Sequence, residues 1–281
     1  MQADYDFLLI EHRHNELEEA SALLRLVFPR ARHLTPRHLD WQYRGNPDGR
    51  ALACGAYRRG QLVGHVAALP LRARVNGEEH RGVALVNAAV HPEHRRRNLT
   101  IRMFFAAMDE VFRQGHRFAL AVGNAISTGP LMMGFRPIAP LQAKLGFGTP
   151  ARSLPVEPSF ERVWSDQALR WRLASPERRY VSTVRNSRLV VTAPTGRPGI
   201  AALLHHGPDL DAFATSGGWR SPAKLWIGLD PAIDWKRSRF VDIPRWLKPS
   251  PLNLSFVDLA GRDLFPDPAQ ALFRAIDFDA F

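Results

Sequence analysis

A chain of 281 residues with 45% hydrophobic and 23% charged side chains holds enough apolar material for one large or two ordinary domains, which excludes an intrinsically disordered protein. The single cysteine, Cys54, excludes an intrachain disulfide and a cysteine-built zinc cluster. A formal net charge of +11 favours polyanionic partners: a nucleotide cofactor, an acidic carrier protein, nucleic acid or an anionic membrane.

Residues 7–10 read as a short strand and 16–27 as an amphipathic helix, with Leu17, Ala20, Leu23, Leu24 and Val27 on one face and Pro29 at its end. The first residues are too short an apolar run for a signal peptide or a membrane span, so a soluble protein is expected, and the single cysteine fits a reducing, cytoplasmic setting. Thr35 is placed to cap a second helix with Pro36 at its first position, running past Trp41 towards Gly45. After an Asn-Pro-Asp-Gly turn, residues 51–57 and 61–73 form an antiparallel hairpin in which Pro70 marks a bulge or an edge. Asn76-Gly77 turns the chain again. The run 83–90 that follows is small and apolar apart from Asn87, the pattern of a strand buried on both faces.

Pro92 takes the chain out of the sheet, and a helix resumes with Ile101, Phe104, Phe105, Met108, Val111 and Phe112 on one face. Between them stand Arg95, Arg96, Arg97, Asn98, Leu99 and Thr100. Three cations at a helix start oppose the macrodipole, so they suit either a bound anion or a solvated basic turn. A strand over 118–122, a short helical segment over 124–133 and a strand opening at Gly134-Phe135 come next.

The series Val90, Pro92, Glu93 and Arg95, set between a strand and a long helix, resembles the pyrophosphate loop of the GCN5-related N-acetyltransferases (GNAT). Asn98 and Thr100 stand where that family carries glycine or another small residue. Asn124 and Gly134-Phe135 match its next elements, while Pro130 occupies the place of the usual general-acid tyrosine. The resemblance covers residues 1–150 and implies an α/β (α+β) fold, a mixed, mainly antiparallel sheet flanked by helices. It implies acetyl-CoA or another acyl-CoA as co-substrate, with pantetheine along Ala88, Ala89 and Val90, pyrophosphate on Arg95 to Thr100, and Asn124 nearby. Asn87 and Ser127 are the catalytic candidates it leaves. Taken as residues alone, Asn87 equally suits a strand-edge amide and Ser127 a helix cap, and His91 ranks below both as a base. The implied acceptor is a small-molecule amine, with an acidic acyl carrier protein as a possible donor and no metal; a catalytically silent acyl-CoA sensor is the alternative. A nucleic-acid module is not expected, because the arginines are dispersed and no recognition motif is present.

Residues 149–158 read as a linker. Beyond them come a helix over 164–173, a hairpin over 180–192, and strands over 200–204, 225–228, 240–243 and 252–258. Trp171 before Pro176 and a hairpin echoes Trp41 before Pro47 and a hairpin, so residues 151–281 are expected to be a degenerate copy of the first unit on the acceptor side of a shared cleft. In this copy His205 and His206 are expected at a strand end, with Asp209 and Asp211 in the turn that would otherwise hold a pyrophosphate.

Overall fold

A computed structural model describes residues 5–124, 134–153, 156–185, 188–208, 221–244 and 252–278. The first half runs β1 (Asp6–Ile10), α1 (His14–Val27), α2 (Pro36–Tyr43), β2 (Leu52–Arg58), β3 (Gln61–Val75), β4 (Glu78–Val90), α3 (Leu99–Arg113), β5 (Phe118–Gly123), β6 (Arg136–Pro140) and β7 (Gln142–Phe147). The second runs β8 (Phe160–Arg162), α4 (Asp166–Leu173), β9 (Val181–Arg185), β10 (Arg188–Pro194), β11 (Ile200–Pro208), β12 (Ala223–Leu229), β13 (Phe240–Asp242), β14 (Asn253–Asp258) and β15 (Ala271–Arg274). This is the mixed, mainly antiparallel α/β sheet that the resemblance implied. No described helix is long and apolar enough to cross a membrane.

The alternation of β3 decides which helix goes where. Val63, Val66 and Ala68 face α3, packing with Met103, Ala107 and Val111. Leu62, Ala67 and Leu69 face α1 and α2, packing with Leu17, Leu24, Leu39 and Tyr43. The Asn76-Gly77 turn between β3 and β4 has positive φ at both residues, 51° and 87°, as a tight two-residue hairpin needs. Pro70 proves to be an edge position. The β2 ladder on β3 ends at Ala68 and the β8 ladder begins at Ala73, so Pro70 lies in a gap where no neighbour on that side needs an amide hydrogen.

Thr35 accepts a hydrogen bond from the His38 amide and donates one to Glu177 from the second half. Thr35→Ala is expected to lower the unfolding free energy by about 1 kcal/mol, the usual worth of such a cap. A urea midpoint equal to that of the parent protein would show that the cap contributes nothing.

The second half repeats the pairing order of the first. β2/β3 and β3/β4 are antiparallel and β4/β5 parallel; β9/β10 and β10/β11 are antiparallel and β11/β12 parallel. Each half then borrows a strand. β14 pairs with β5 and β6, while β7 pairs with β12 and β13. The two tryptophans of the internal echo meet at the centre, their rings stacked 4.7 Å apart. Each indole N–H donates to the other's main-chain carbonyl, at 3.1 and 3.0 Å. Three strands were not expected from the pattern: β7, β8 and β15. The expected linker is also pinned, through an Arg152 to Ile233 bridge and an Arg152 to Asp230 ion pair of 2.8 Å.

Candidate functional site

β4 and β5 run side by side only from Gly82 opposite Phe118 to Leu85 opposite Ala121. Beyond Leu85, β4 continues to Val90 paired with β3, and β5 continues to Gly123 paired with β14. The two strands therefore part, and residues 86–90 have no described strand against them on the β5 side. Backbone polar groups need partners, so such an edge can take an extended ligand as an added strand. The expectation of a strand buried on both faces holds at Gly82 and Val83 and fails beyond them: residues 84–87 are half-buried and Ala88 is exposed, because β5 has moved away.

Asn87 sits at a bulge in this edge. The register shifts between His65 and Ala67, and Asn87 takes φ 55°, a conformation asparagine tolerates and branched residues resist. Its side-chain amide donates to Gln42 Oε1 and Tyr43 Oη, both at 2.7 Å. Its carbonyl lies 3.0 Å from His65 Nδ1. Both hydrogens of the amide are spent on α2, so Asn87 fixes the path of β4. His65 is fully buried, and that burial lowers its pKa to about 4, with the Asn87 bond opposing and His12 adding; the ring is neutral and donates from Nδ1.

At the end of β4 a single 3-10 turn, Pro92–His94, leads into Arg95, Arg96 and Arg97, all exposed. Arg95 Nε reaches the Val90 carbonyl at 3.4 Å. Arg96 and Asn98 have φ of 62° and 55°, a tight loop that delivers the chain into α3. Asn98 is the N-cap residue, but its side chain makes no capping bond. The first-turn amides of α3 thus lack the usual side-chain acceptor, beside three guanidinium groups. Leu99 is buried under the helix and Thr100 is half-buried. His91, Glu93 and His94 also bring one ligand-type atom each within 4.8 Å of one another, a grouping not seen from their spacing in sequence. His94 is held by Tyr5 at 2.9 Å, and burial, then Arg58, lowers its pKa. Asn124 follows the end of β5 and is half-buried. Ser127 and Pro130 lie outside the described residues.

A cleft of about 590 Å³, its open mouth included, lies beside the parting strands. One wall is Leu69 and Leu71 of β3, Leu85 and Val86 of β4, and Val122 of β5; the other comes from the second half, with Arg162, Trp171, Arg172, Phe273, Asp277 and Phe278. Gln42, the partner of Asn87, also lines it. Trp41 and Tyr43 do not, and Tyr43 is fully buried in the α1/α2 core. Of the cleft's charged residues only the neighbourhood of Trp171 was signalled in the sequence. Arg162 and Asp277 are far apart in the chain and carry no motif.

Residues 10–129 match the family model described as an acetyltransferase (GNAT) domain. Among solved structures, the chain resembles Eis1 from Mycobacterium abscessus, with 16% identity, a TM-score of 0.51, and coverage of 74% of this chain and 60% of that one. It resembles a probable N-acyltransferase from Enterococcus faecalis V583, with 9% identity, a TM-score of 0.61, and coverage of 91% and 73%. A third is Saccharomyces cerevisiae N-myristoyltransferase with bound myristoyl-CoA, with 12% identity, a TM-score of 0.52, and coverage of 74% and 63%. This chain thus spans less than two thirds of the length of the first and third. At these identities the likeness is one of fold. A comparison with curated protein sequences finds no match.

Proposed function

From the premise that residues 10–129 are a GNAT acetyltransferase domain, we propose that the protein is an acyl-CoA-dependent N-acyltransferase acting on a small amine. The observation that carries this reading is the unpartnered edge of β4 over residues 86–90, leading directly into a basic loop at an uncapped helix start. The pantetheine amides would pair along Ala88, Ala89 and Val90, and the pyrophosphate would rest on the loop from Arg95 to Thr100, with Asn124 just past the end of the facing strand β5. The donor is acetyl-CoA or a longer acyl-CoA, or an acidic acyl carrier protein, in a cytoplasmic setting.

The amine attacks the thioester carbonyl, the carbon–sulfur bond breaks, and the acyl group passes to nitrogen while the thiolate takes up a proton. A main-chain amide near Val90 would receive the oxyanion, a contribution of about 3 kcal/mol for one donor. The bulge anchored by Asn87 would hold that amide in place, and proximity in the cleft would supply much of the remaining rate. Ser127 is proposed as the donor to sulfur. The reading requires no metal.

Residues 151–281 would form the acceptor-side unit and bind no cofactor. Where β11 passes the end of its ladder with β12, the space is small, about 240 Å³, and is lined by His205, His206, Arg274 and the Arg152 to Asp230 pair. β11 ends in Pro208, which has no amide hydrogen to offer a pantetheine. His205 and His206 lie inside this strand, which extends beyond the expected end at residue 204; Asp209 and Asp211 fall outside the described residues.

The test is calorimetry with acetyl-CoA on the parent protein and on an Arg95→Ala, Arg97→Ala double variant. One site per chain is expected, weakened at least about tenfold in the variant and with a flatter salt dependence. Unchanged affinity in the variant would remove the loop from the site, and two sites per chain would contradict the silent second half. Binding without acyl transfer to any amine would favour a sensor.

A further inference from the structure

His91, Glu93 and His94 stand on the single 3-10 turn that closes β4, and the turn sets their geometry. Residues three apart in such a turn eclipse one another, so His91 and His94 share one side of it. Their ring centroids lie 5.6 Å apart, with the planes at 69°. The turn is held at both ends. The His91 amide donates to the Val63 carbonyl at 2.8 Å and the His94 amide to the His91 carbonyl at 2.9 Å, with Pro92 fixing φ between them. One ligand-type atom from each of the three residues lies within 4.8 Å of the others. Ligands at about 2.0–2.1 Å from a tetrahedral zinc ion stand about 3.4 Å from one another, so closing the group asks for about an ångström of movement. Exposed Glu93 supplies it by rotating its side chain.

An outer partner is already in place. The Tyr5 hydroxyl lies 2.9 Å from His94 Nδ1, and a metal-bound imidazole keeps such a partner on the nitrogen that faces away from the ion. Nε2 of His94 is left for the ion. The Glu93 amide approaches His91 Nδ1 at 3.4 Å, a long contact that a metal–nitrogen bond outweighs. Among the described residues no hydrogen bond or ion pair takes up the Glu93 carboxylate. Two imidazoles and a carboxylate suit a borderline cation and leave its fourth position open to water. We propose that His91, Glu93 and His94 bind a divalent transition-metal ion of the zinc(II) type at the foot of the basic loop. Arg58 and Arg97 act on His94 and oppose the cation, so the affinity is modest. The site is additional to the acyl-transfer chemistry and stands or falls separately from it.

The probe is Zn²⁺ alone, titrated by calorimetry into the full chain without an affinity tag. One ion per chain is expected at this site. A His91→Gln, His94→Gln double variant should weaken that binding about a hundredfold or more, since loss of an outer partner alone costs about 10–100-fold. The chain has eleven histidines, so the variants rather than the stoichiometry locate the ion. Glu93→Gln, at an exposed position, removes the anionic ligand and should cost about tenfold or more; it decides even if the double variant fails to fold. Mg²⁺, which takes oxygen ligands, should not displace the zinc at about a thousandfold excess. Absence of Zn²⁺ binding in the parent protein, an affinity unchanged in Glu93→Gln or in the folded double variant, or displacement of the zinc by Mg²⁺ would each overturn the proposal.

Discussion

Replacing Asn87 with valine is expected to lower kcat/KM for acyl transfer by about a hundredfold, the scale of a one-ångström misplacement at the reacting centre. The reason lies in the backbone. A branched side chain at φ 55° costs roughly 1–3 kcal/mol, and the chain relaxes by abandoning the bulge. Gln42 and the fully buried Tyr43 hydroxyl lose their partner at the same time, which adds roughly 1–3 kcal/mol. Together these predict a loss of stability of roughly 2–6 kcal/mol, within reach of the whole margin of a typical domain. Asn87→Gly keeps the conformation and loses only the tie to α2, so it should fall between the parent and the valine variant in both urea midpoint and kcat/KM. A valine variant that unfolds earlier yet transfers acyl groups at the parental rate would show that the bulge has no part in positioning the reacting carbonyl.

The legible parts of this fold are those where one local pattern decides the outcome. Thr35-Pro36 and Asn76-Gly77 each declare themselves within a few residues, and each is found as expected. The face of α3 is rotated from the expected one: Leu99, Met103 and Ala107 are buried with Phe104, Met108 and Val111, while Phe105 and Phe112 are exposed. The echo of Trp41 in Trp171 lies in two halves that share one pairing order, and the two rings stack on each other. What escaped is whatever depends on partners distant in sequence. β8 and β15 have three and four residues, and they are strands only because β3 and β12 supply ladders for them. The exchange of β14 and β7 between the halves has no local signature at all. The cleft shows the same division. The arginine loop is contiguous and was visible, whereas Arg162 becomes meaningful only once folding places Trp164 on its face and Asp48 3.9 Å from its Nη2.

Resistance to unfolding is expected to fall steeply as pH drops from 6.5 towards 4, before most carboxylates titrate. His65 and His206 have pKa values lowered to about 4, His65 by burial and His206 by burial and then Arg188; His205 is lowered further, by burial and then Arg274. His12 and His116 are lowered in the same direction, each mainly by burial. The sign follows from which state takes the proton. Folded, these rings stay neutral; unfolded, each titrates near 6.5. Above that pH neither state binds the proton and the full stability is present. Below it the unfolded chain gains protons that the folded chain refuses, and stability is lost until the folded pKa is reached. For fully buried His65 alone this amounts to roughly 1 kcal/mol at pH 5.5, rising by about 1.4 kcal/mol per further unit. Asp48 and Asp277 work against it, because burial raises their pKa and their protonation at lower pH favours the folded state. Their counter-effect sets in as pH falls through their raised folded pKa values, so it offsets part of the histidine loss and does not reverse its sign while five rings are being protonated in the unfolded chain. Unfolding free energies from urea titration should therefore drop between pH 7 and pH 5 by several kcal/mol in total, and His65→Asn should flatten part of that slope. A midpoint constant across the window would mean that these rings are hydrated or paired in the folded protein, and the neutral donor assigned to His65 at the Asn87 bulge would have to be withdrawn.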